Sequence, residues 1–224
     1  MKTNRRAIQG YNLISKCLCY KQTDARLMSS QRYEIRWYGP FKFHGTEDDS
    51  VFTAKEAEYP GIYLWTIPFK KQYLVYYVGE TGRSFDERFV EHTQNCLNGL
   101  YRIYDPSRFA EGAKVLVWDG MWKKEYSKPA RMQEFMNRYL ELAPVINKYL
   151  RQFRIFVAPL DAEERIRQRI EGAIADRLRE QLGIIGDFQD SDIRYRSRRD
   201  DEKPFSVKIE AFEPILGLCS ELLA

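Results

Sequence analysis

Gly61-Ile62-Tyr63-Leu64-Trp65-Thr66-Ile67-Pro68-Phe69-Lys70-Lys71-Gln72-Tyr73-Leu74-Val75-Tyr76-Tyr77-Val78-Gly79 is the stretch on which the reading of this chain turns. Two runs rich in β-branched and aromatic residues, 61–67 and 73–79, flank Pro68-Phe69-Lys70-Lys71, which suits a turn. The stretch therefore predicts an antiparallel hairpin. With the turn at Pro68 to Gln72, Ile67 faces Tyr73, and counting outward along both strands sets Tyr63 opposite Tyr77. Residues so paired hold their Cβ atoms about 5 Å apart on one face. Two phenols then share one small area, either as packing that stabilises the hairpin or as part of a site.

Downstream, Ser84-Phe85-Asp86-Glu87 has the spacing of a capping box and predicts a helix from there to about Asn95. Arg88 and His92 stand four apart on it, one turn from each other on the same face, with Asn95 three positions on and Phe85 and Phe89 as the neighbouring apolar stripe. A guanidinium, an imidazole and an amide in line suit an anionic ligand, or else form an ordinary solvated face. A short apolar run at Val115-Leu116-Val117-Trp118 follows, then a helix from about Ala130 to Leu142, ending before Pro144. Arg154 to Ala158 reads as a strand closed by Pro159-Leu160.

Asp161, with Glu164 three residues later, opens the clearest helix. Ile166, Ile170, Ile174, Leu178 and Leu182 recur at every fourth position, and Gly183 supplies a stop. At about 100° per residue the apolar stripe drifts through roughly 160° by Leu182, and Glu171 falls at about 140° on the same scale. A mid-helix carboxylate thus points toward the packed side. Burying it unpaired costs several kcal/mol, so it needs a cationic or metal partner, and Arg167 one turn earlier is the structural candidate.

Residues 1–58 hold a basic start, a short helix around Tyr11 to Cys19, a strand from Tyr33 to Tyr38 that stops at Gly39-Pro40, and an acidic loop, Glu47-Asp48-Asp49-Ser50. The last forty or so residues carry Arg194, Arg196, Arg198 and Arg199 followed by Asp200-Asp201-Glu202, then an apolar segment, Phe212 to Leu223, expected to pack back on the body. Lys70 and Lys71 at the hairpin tip, Arg83 after Gly82, and the Arg194 to Arg199 cluster are candidate phosphate contacts. The acids beside that last cluster blunt its field.

With 224 residues, 44% of them hydrophobic and 30% charged, the chain lies outside the composition that stays unfolded. No apolar run approaches the roughly 18 residues that cross a bilayer, and the start lacks a signal-peptide core, so no membrane association and a cytoplasmic location are expected. Thirty-six Lys and Arg against 32 Asp and Glu, net +4, permit nucleic-acid binding without demanding it. Cys17, Cys19, Cys96 and Cys219 include no Cys-x-x-Cys pair, and His44 and His92 are the only histidines, so no zinc spacing can be assembled and reduced thiols are expected.

Gly61-Ile62-Tyr63, then Tyr77-Val78-Gly79, then Arg88 with His92 four on, then a helix bearing Glu171 behind a further strand, together resemble the GIY-YIG nuclease family. The first triplet is literal and the second differs by Val for Ile; the resemblance spans residues 61–183. It implies an α+β fold, a small three-stranded antiparallel sheet flanked by helices. The chain would divide into an N-terminal extension at 1–58 packed on the core, a nuclease core at 59–187 with an insertion at about 96–151, and a C-terminal segment at 188–224. It implies hydrolysis of phosphodiesters in double-stranded DNA with one divalent metal, Mg2+ or Mn2+. By position, Tyr63 would be the base or water-orienting phenol, Tyr77 the second phenol, Arg88 the phosphate ligand, His92 part of the proton relay and Glu171 the metal ligand. A sequence-specific restriction-type enzyme, a homodimer if both strands are cut at one site, is the first expectation. A homing or repair nuclease of the same family and a catalytically decayed nucleic-acid-binding module are the alternatives. Family members commonly carry an asparagine beyond the glutamate; here Gly183 stands in its place, and Asp187 or Gln189 would have to substitute.

Overall fold

The structure, a computed structural model, describes residues 31–46, 49–122 and 127–224. The helix expected around Tyr11 to Cys19, both cysteines there, and Glu47 and Asp48 lie outside the described residues. In chain order the elements are β1 (Arg32–Phe41), β2 (Gly61–Phe69), β3 (Gln72–Thr81), α1 (Phe85–Leu97), β4 (Ile103–Tyr104), α2 (Pro106–Ala110), β5 (Leu116–Trp118), α3 (Lys128–Asn137), α4 (Tyr139–Leu150), β6 (Arg154–Pro159), α5 (Glu164–Arg179), α6 (Ile184–Asp187), β7 (Ser206–Ala211), β8 (Ile215–Leu216) and β9 (Glu221–Leu223). Among the described residues no helix is long and apolar enough to cross a membrane.

The small three-stranded sheet is not what forms. Among the described residues seven strands make one mixed sheet in the order β8-β3-β2-β6-β1-β7-β9, with β4 and β5 paired apart from it, so the architecture is mixed α/β and partly parallel. The expected antiparallel trio β3-β2-β6 is its centre. The reason for the growth is visible in β6, where Ile155, Phe156, Val157 and Ala158 are all buried: a strand apolar on both faces takes neighbours on both edges, here β2 and β1. The flanks supply the other strands, β7 lying parallel to β1 and β8 parallel to β3. β1 also runs on through Gly39-Pro40 instead of stopping there. Its register against β6 shifts between Tyr38 and Phe41, an irregularity that lets a residue without an N–H sit in a strand.

Register is where the hairpin departs from expectation. Lys70 and Lys71 both take positive φ, 47° and 65°, which makes a tight two-residue turn, so Phe69 faces Gln72. Above the turn Thr66 faces Val75 but Trp65 faces Tyr77, leaving Tyr76 as an extra residue in a bulge. Tyr63 is therefore opposite Gly79, not Tyr77. The bulge turns Tyr76 and Tyr77 toward the same face, and the Tyr63 and Tyr77 rings meet diagonally with centroids 5.9 Å apart.

Each sheet face has its own core. On one, Tyr63, Trp65, Ile67 and Val157 pack with Phe85 and Phe89 of α1 and with Leu142, Ile146 and Tyr149 of α4. On the other, Ile62, Leu64, Val78 and Phe156 pack under Ile170, Ile174 and Leu178 of α5. Residues 96–151 contribute Phe109, Trp118 and Phe135 to the first core. Helix boundaries also move, and α5 opens after Glu163, not at Asp161. The break expected before Pro144 falls at Arg138, with Pro144 inside α4, and α5 ends at Arg179, short of Gly183, which leaves Leu182 95% exposed. α1 starts after Ser84 as expected, but without a side-chain cap bond, and runs to Leu97.

Candidate active site

Tyr63 lies flat across its cross-strand partner. A Cβ placed on Gly79 would sit 2.2 Å from Tyr63 Cζ and 2.5 Å from its hydroxyl oxygen, so the glycine of the second triplet is the space the phenol occupies. Phe89 and Phe85 close the ring in edge-on at 5.1 and 6.3 Å, and no part of Tyr63 reaches solvent. Its hydroxyl is 2.8 Å from His92 Nε2 and accepts from Arg88 Nε at 3.3 Å. The far side of the imidazole, Nδ1, is 2.9 Å from the Tyr101 hydroxyl, which accepts from Asn95 Nδ2 at 3.0 Å. Residues 88, 92 and 95 thus line one face of α1 and hold a chain of hydrogen bonds running Arg88, Tyr63, His92, Tyr101, Asn95.

Burial dominates the electrostatics of this chain. It pushes the Tyr63 hydroxyl up to about 12 against the opposing pull of Arg88, and it pushes Tyr77 up as well. Burial and then the Arg88 charge push His92 down to about 3. At neutral pH the phenol keeps its proton and the imidazole is uncharged. Two tautomers fit the geometry, one sending the Tyr63 proton to Nε2 and the other the Nε2 proton to Tyr63, so the ring relays hydrogen-bond direction without carrying charge. Arg88 Nη1 is 2.9 Å from Glu91, which Arg83 also holds.

Glu171 comes from the opposite face of the sheet, and the reach is possible because the sheet is unfinished there. β8 pairs only with Tyr73 and Leu74, so among the described residues β3 has no strand on its outer side from Val75 onward. Gln189 Nε2 donates to the Val75 carbonyl at 2.7 Å, Asp190 N to that of Tyr76 at 2.8 Å and the Tyr195 hydroxyl to that of Val78 at 3.1 Å. The backbone N–H of Glu80 goes to the Glu171 carboxylate. Glu171 therefore stands over the edge of β3, where Tyr63, Tyr77 and Arg88 all feel its charge or it feels theirs.

That carboxyl is pushed up to about 8, first by burial and then by the charge of Glu80, with the Glu80 N–H, Arg88 and Arg196 opposing. Arg167, the expected structural partner, instead donates from Nε to Glu80 at 3.0 Å and to the Ala162 carbonyl. Glu171 has no ion pair among the described residues. A carboxylate short of positive charge, with a second carboxylate beside it, fits a hard divalent cation whose remaining ligands are water and phosphate. Among the described residues no group of three or more His, Cys, Asp or Glu is gathered that could hold a metal ion.

Tyr63, Tyr77, Arg88 and His92 are brought together, Arg83 joins through Glu91, and Glu171 lies within electrostatic reach of Tyr63, Tyr77 and Arg88. Lys70 and Lys71 are not brought in: six residue-to-residue steps of strand lie between Lys71 and Tyr77, roughly 20 Å. Gln189 does not take the place of the family asparagine at the site, since its amide is engaged by the Val75 and Ile185 carbonyls. Asp187 is exposed in α6. Sequence reasoning missed Glu80, Glu91 and Tyr101. Adjacency to Gly79 was a signal for the first, the i,i+3 spacing from Arg88 for the second, and nothing marked the third. A cavity of about 410 Å³ opens beside the group, lined among others by Tyr77, Arg88, His92, Tyr101, Arg102 and Trp122. No protein-family model, curated protein or solved structure matches this chain.

Tyr63→Phe keeps the ring and removes the one atom joining Arg88 to His92. It is expected to cost about 1–3 kcal/mol of stability, because a buried imidazole nitrogen and a guanidinium lose their partner. A denaturant midpoint unchanged from the parent protein would show that this hydrogen bond carries nothing.

Proposed function

We propose that the protein is a divalent-metal-dependent endonuclease of the GIY-YIG type that hydrolyses phosphodiester bonds in double-stranded DNA, with a sequence-specific restriction role. The observation that carries the reading is that Arg88 and two phenols gathered on one sheet face lie within electrostatic reach of Glu171 from the other, across the open edge of β3.

In-line attack on a phosphodiester builds negative charge on the phosphoryl and departing oxygens. Arg88, partly exposed and fixed by Tyr63 and Glu91, offers its fork to the phosphoryl oxygens. Mg2+ or Mn2+, held by Glu171 with Glu80 beside it, would add Lewis-acid stabilisation of the same charge. With its proton held to about 12, Tyr63 orients Arg88 and His92 and does not act as an unaided base. Tyr77, less deeply covered, is the phenol nearer to an incoming phosphate. Cutting both strands at one site would require two copies of the chain.

Incubating supercoiled plasmid with the protein and Mg2+ or Mn2+ should yield nicked or linear product, and EDTA should prevent it. Arg88→Ala should lower the rate at saturating DNA by roughly 100-fold or more while weakening binding much less. Retained DNA binding with no cleavage under either metal would replace the enzyme with a binding module. Equal losses in rate and affinity would reduce Arg88 to an anchor.

A further inference from the structure

Residues 193–199 form a strap laid over α5 and the edge of β3. Exposure alternates along it: Ile193, Tyr195 and Ser197 are half-buried, while Arg194, Arg196 and Arg198 are exposed, the period of an extended backbone. The inward residues are tied down at two places that bracket the candidate site. The Tyr195 hydroxyl donates to the Val78 carbonyl at 3.1 Å, one residue from Tyr77. Ser197 rests on Gly172, one residue from Glu171, so closely that a Cβ on Gly172 would lie 2.7 Å from its Oγ and 2.8 Å from its Cα. Ser197 Oγ also donates to Asp176.

The strap's backbone is clamped by two arginines of α5. Arg179 Nη2 donates to the Asp190 and Ile193 carbonyls at 2.7 and 2.9 Å, and its guanidinium sits 4.7 Å from the Tyr195 ring centroid. Arg165 donates to the Arg196 and Ser197 carbonyls at 2.6 and 3.0 Å. Glu202, one of the three acids that follow in sequence, is turned back onto Arg165 and the Arg199 N–H, so it does not oppose the outward arginines.

Those arginines have little else to do. Arg194 makes no ion pair among the described residues. Arg196 is 3.7 Å from Glu164 with both side chains about 70% exposed (70% and 67%), a pairing of little worth in water. Arg198 donates to the Glu202 carbonyl at 3.0 Å. Successive members are two extended residues apart, about 6.6 Å, which matches the separation of neighbouring phosphates along a nucleic-acid strand.

We propose that Arg194, Arg196 and Arg198 form a phosphate ladder that carries three successive phosphates of one DNA strand past Glu171. This rests on the nuclease reading above and adds the strand's path to it. The rigid anchoring means that the arginine backbones are ordered before DNA arrives, which lowers the entropy lost on binding.

Anisotropy titrations of a labelled duplex with the full-length protein in EDTA, across 50–200 mM KCl, test the ladder. Changing all three residues to Ala should flatten the slope of log K against log salt by about 2.7, about 0.9 per phosphate, which removes about 40-fold of salt sensitivity over that range. Arg194→Gln, which loses no hydrogen bond or ion pair among the described residues, should flatten it by about 0.9, and the triple Arg→Lys variant should restore the parent slope. Unchanged slopes in the Ala and Gln variants, with the parent protein still cutting plasmid, overturn the ladder and leave the nuclease standing. A parent protein that neither binds nor cuts overturns both.

Discussion

Glu171→Gln is expected to abolish DNA cleavage and, above neutral pH, to make the protein harder to unfold. The folded-state carboxyl titrates at about 8 against a reference value of 4.5, so the native chain holds this proton more tightly than the unfolded chain does. The sign follows from linkage: the contribution favours folding below the unfolded value, is withdrawn as pH rises between the two values, and is a constant deficit above about 8. For a group this well covered the full swing is on the order of a few kcal/mol. Gln keeps the shape and never ionises. Melting temperatures of the two proteins should coincide near pH 4 and separate by several degrees near pH 9, with the Gln variant higher. Millimolar Mg2+ should raise the melting temperature of the parent at pH 9 and leave the variant unmoved. A gap that is the same at both pH values, or cleavage close to that of the parent, would remove Glu171 from the role argued for it.

Gly79→Ala is the second change with a large expected effect. The added methyl would stand 2.2 Å from Tyr63 Cζ, and the ring cannot retreat because Phe85 and Phe89 close its other side. Either β3 moves away from β2 or the phenol swings out of reach of His92. Overpacking of this kind costs roughly 1–3 kcal/mol, and displacement of the hydroxyl unlinks Arg88 from α1's hydrogen-bond chain, so cleavage should fall by roughly 100-fold or more. Chemical denaturation and the plasmid assay read the two effects separately. Tyr63→Ala alone should cost about 3–5 kcal/mol, and the double variant should lose less than the sum of the two single losses, since removing the ring removes the other half of the clash, and should recover no activity. Full additivity of the two stability losses would mean that ring and methyl never compete.

The triplets, the Arg88 and His92 spacing and the placement of Glu171 inward on α5 were legible because each depends on residues close in sequence. Register was not. The hairpin hides its offset in two local events, left-handed Lys70 and Lys71 and the extra Tyr76, and neither residue type advertises it: lysine is no turn former by reputation, and one tyrosine in a run of two looks like any other strand residue. Sheet size was also out of reach. β8 and β9 hold two and three residues, too short for any periodicity, and β1 finds β6 and β7 across more than a hundred residues of chain. Tyr101 marks the same limit within the site. It lies in a stretch that reads as an insertion, and only folding brings its hydroxyl to His92.

β8 ends after Leu216, where Gly217 turns the chain with φ of 83°. Had pairing continued to the level of Glu80, a neighbouring carbonyl would have captured the amide that now serves Glu171, and the passage from one side of the sheet to the other would be sealed. On the proposed function, reactivity would thus be a property of incompletion. A design that lengthened the strand for the sake of robustness would silence the very group it sought to protect.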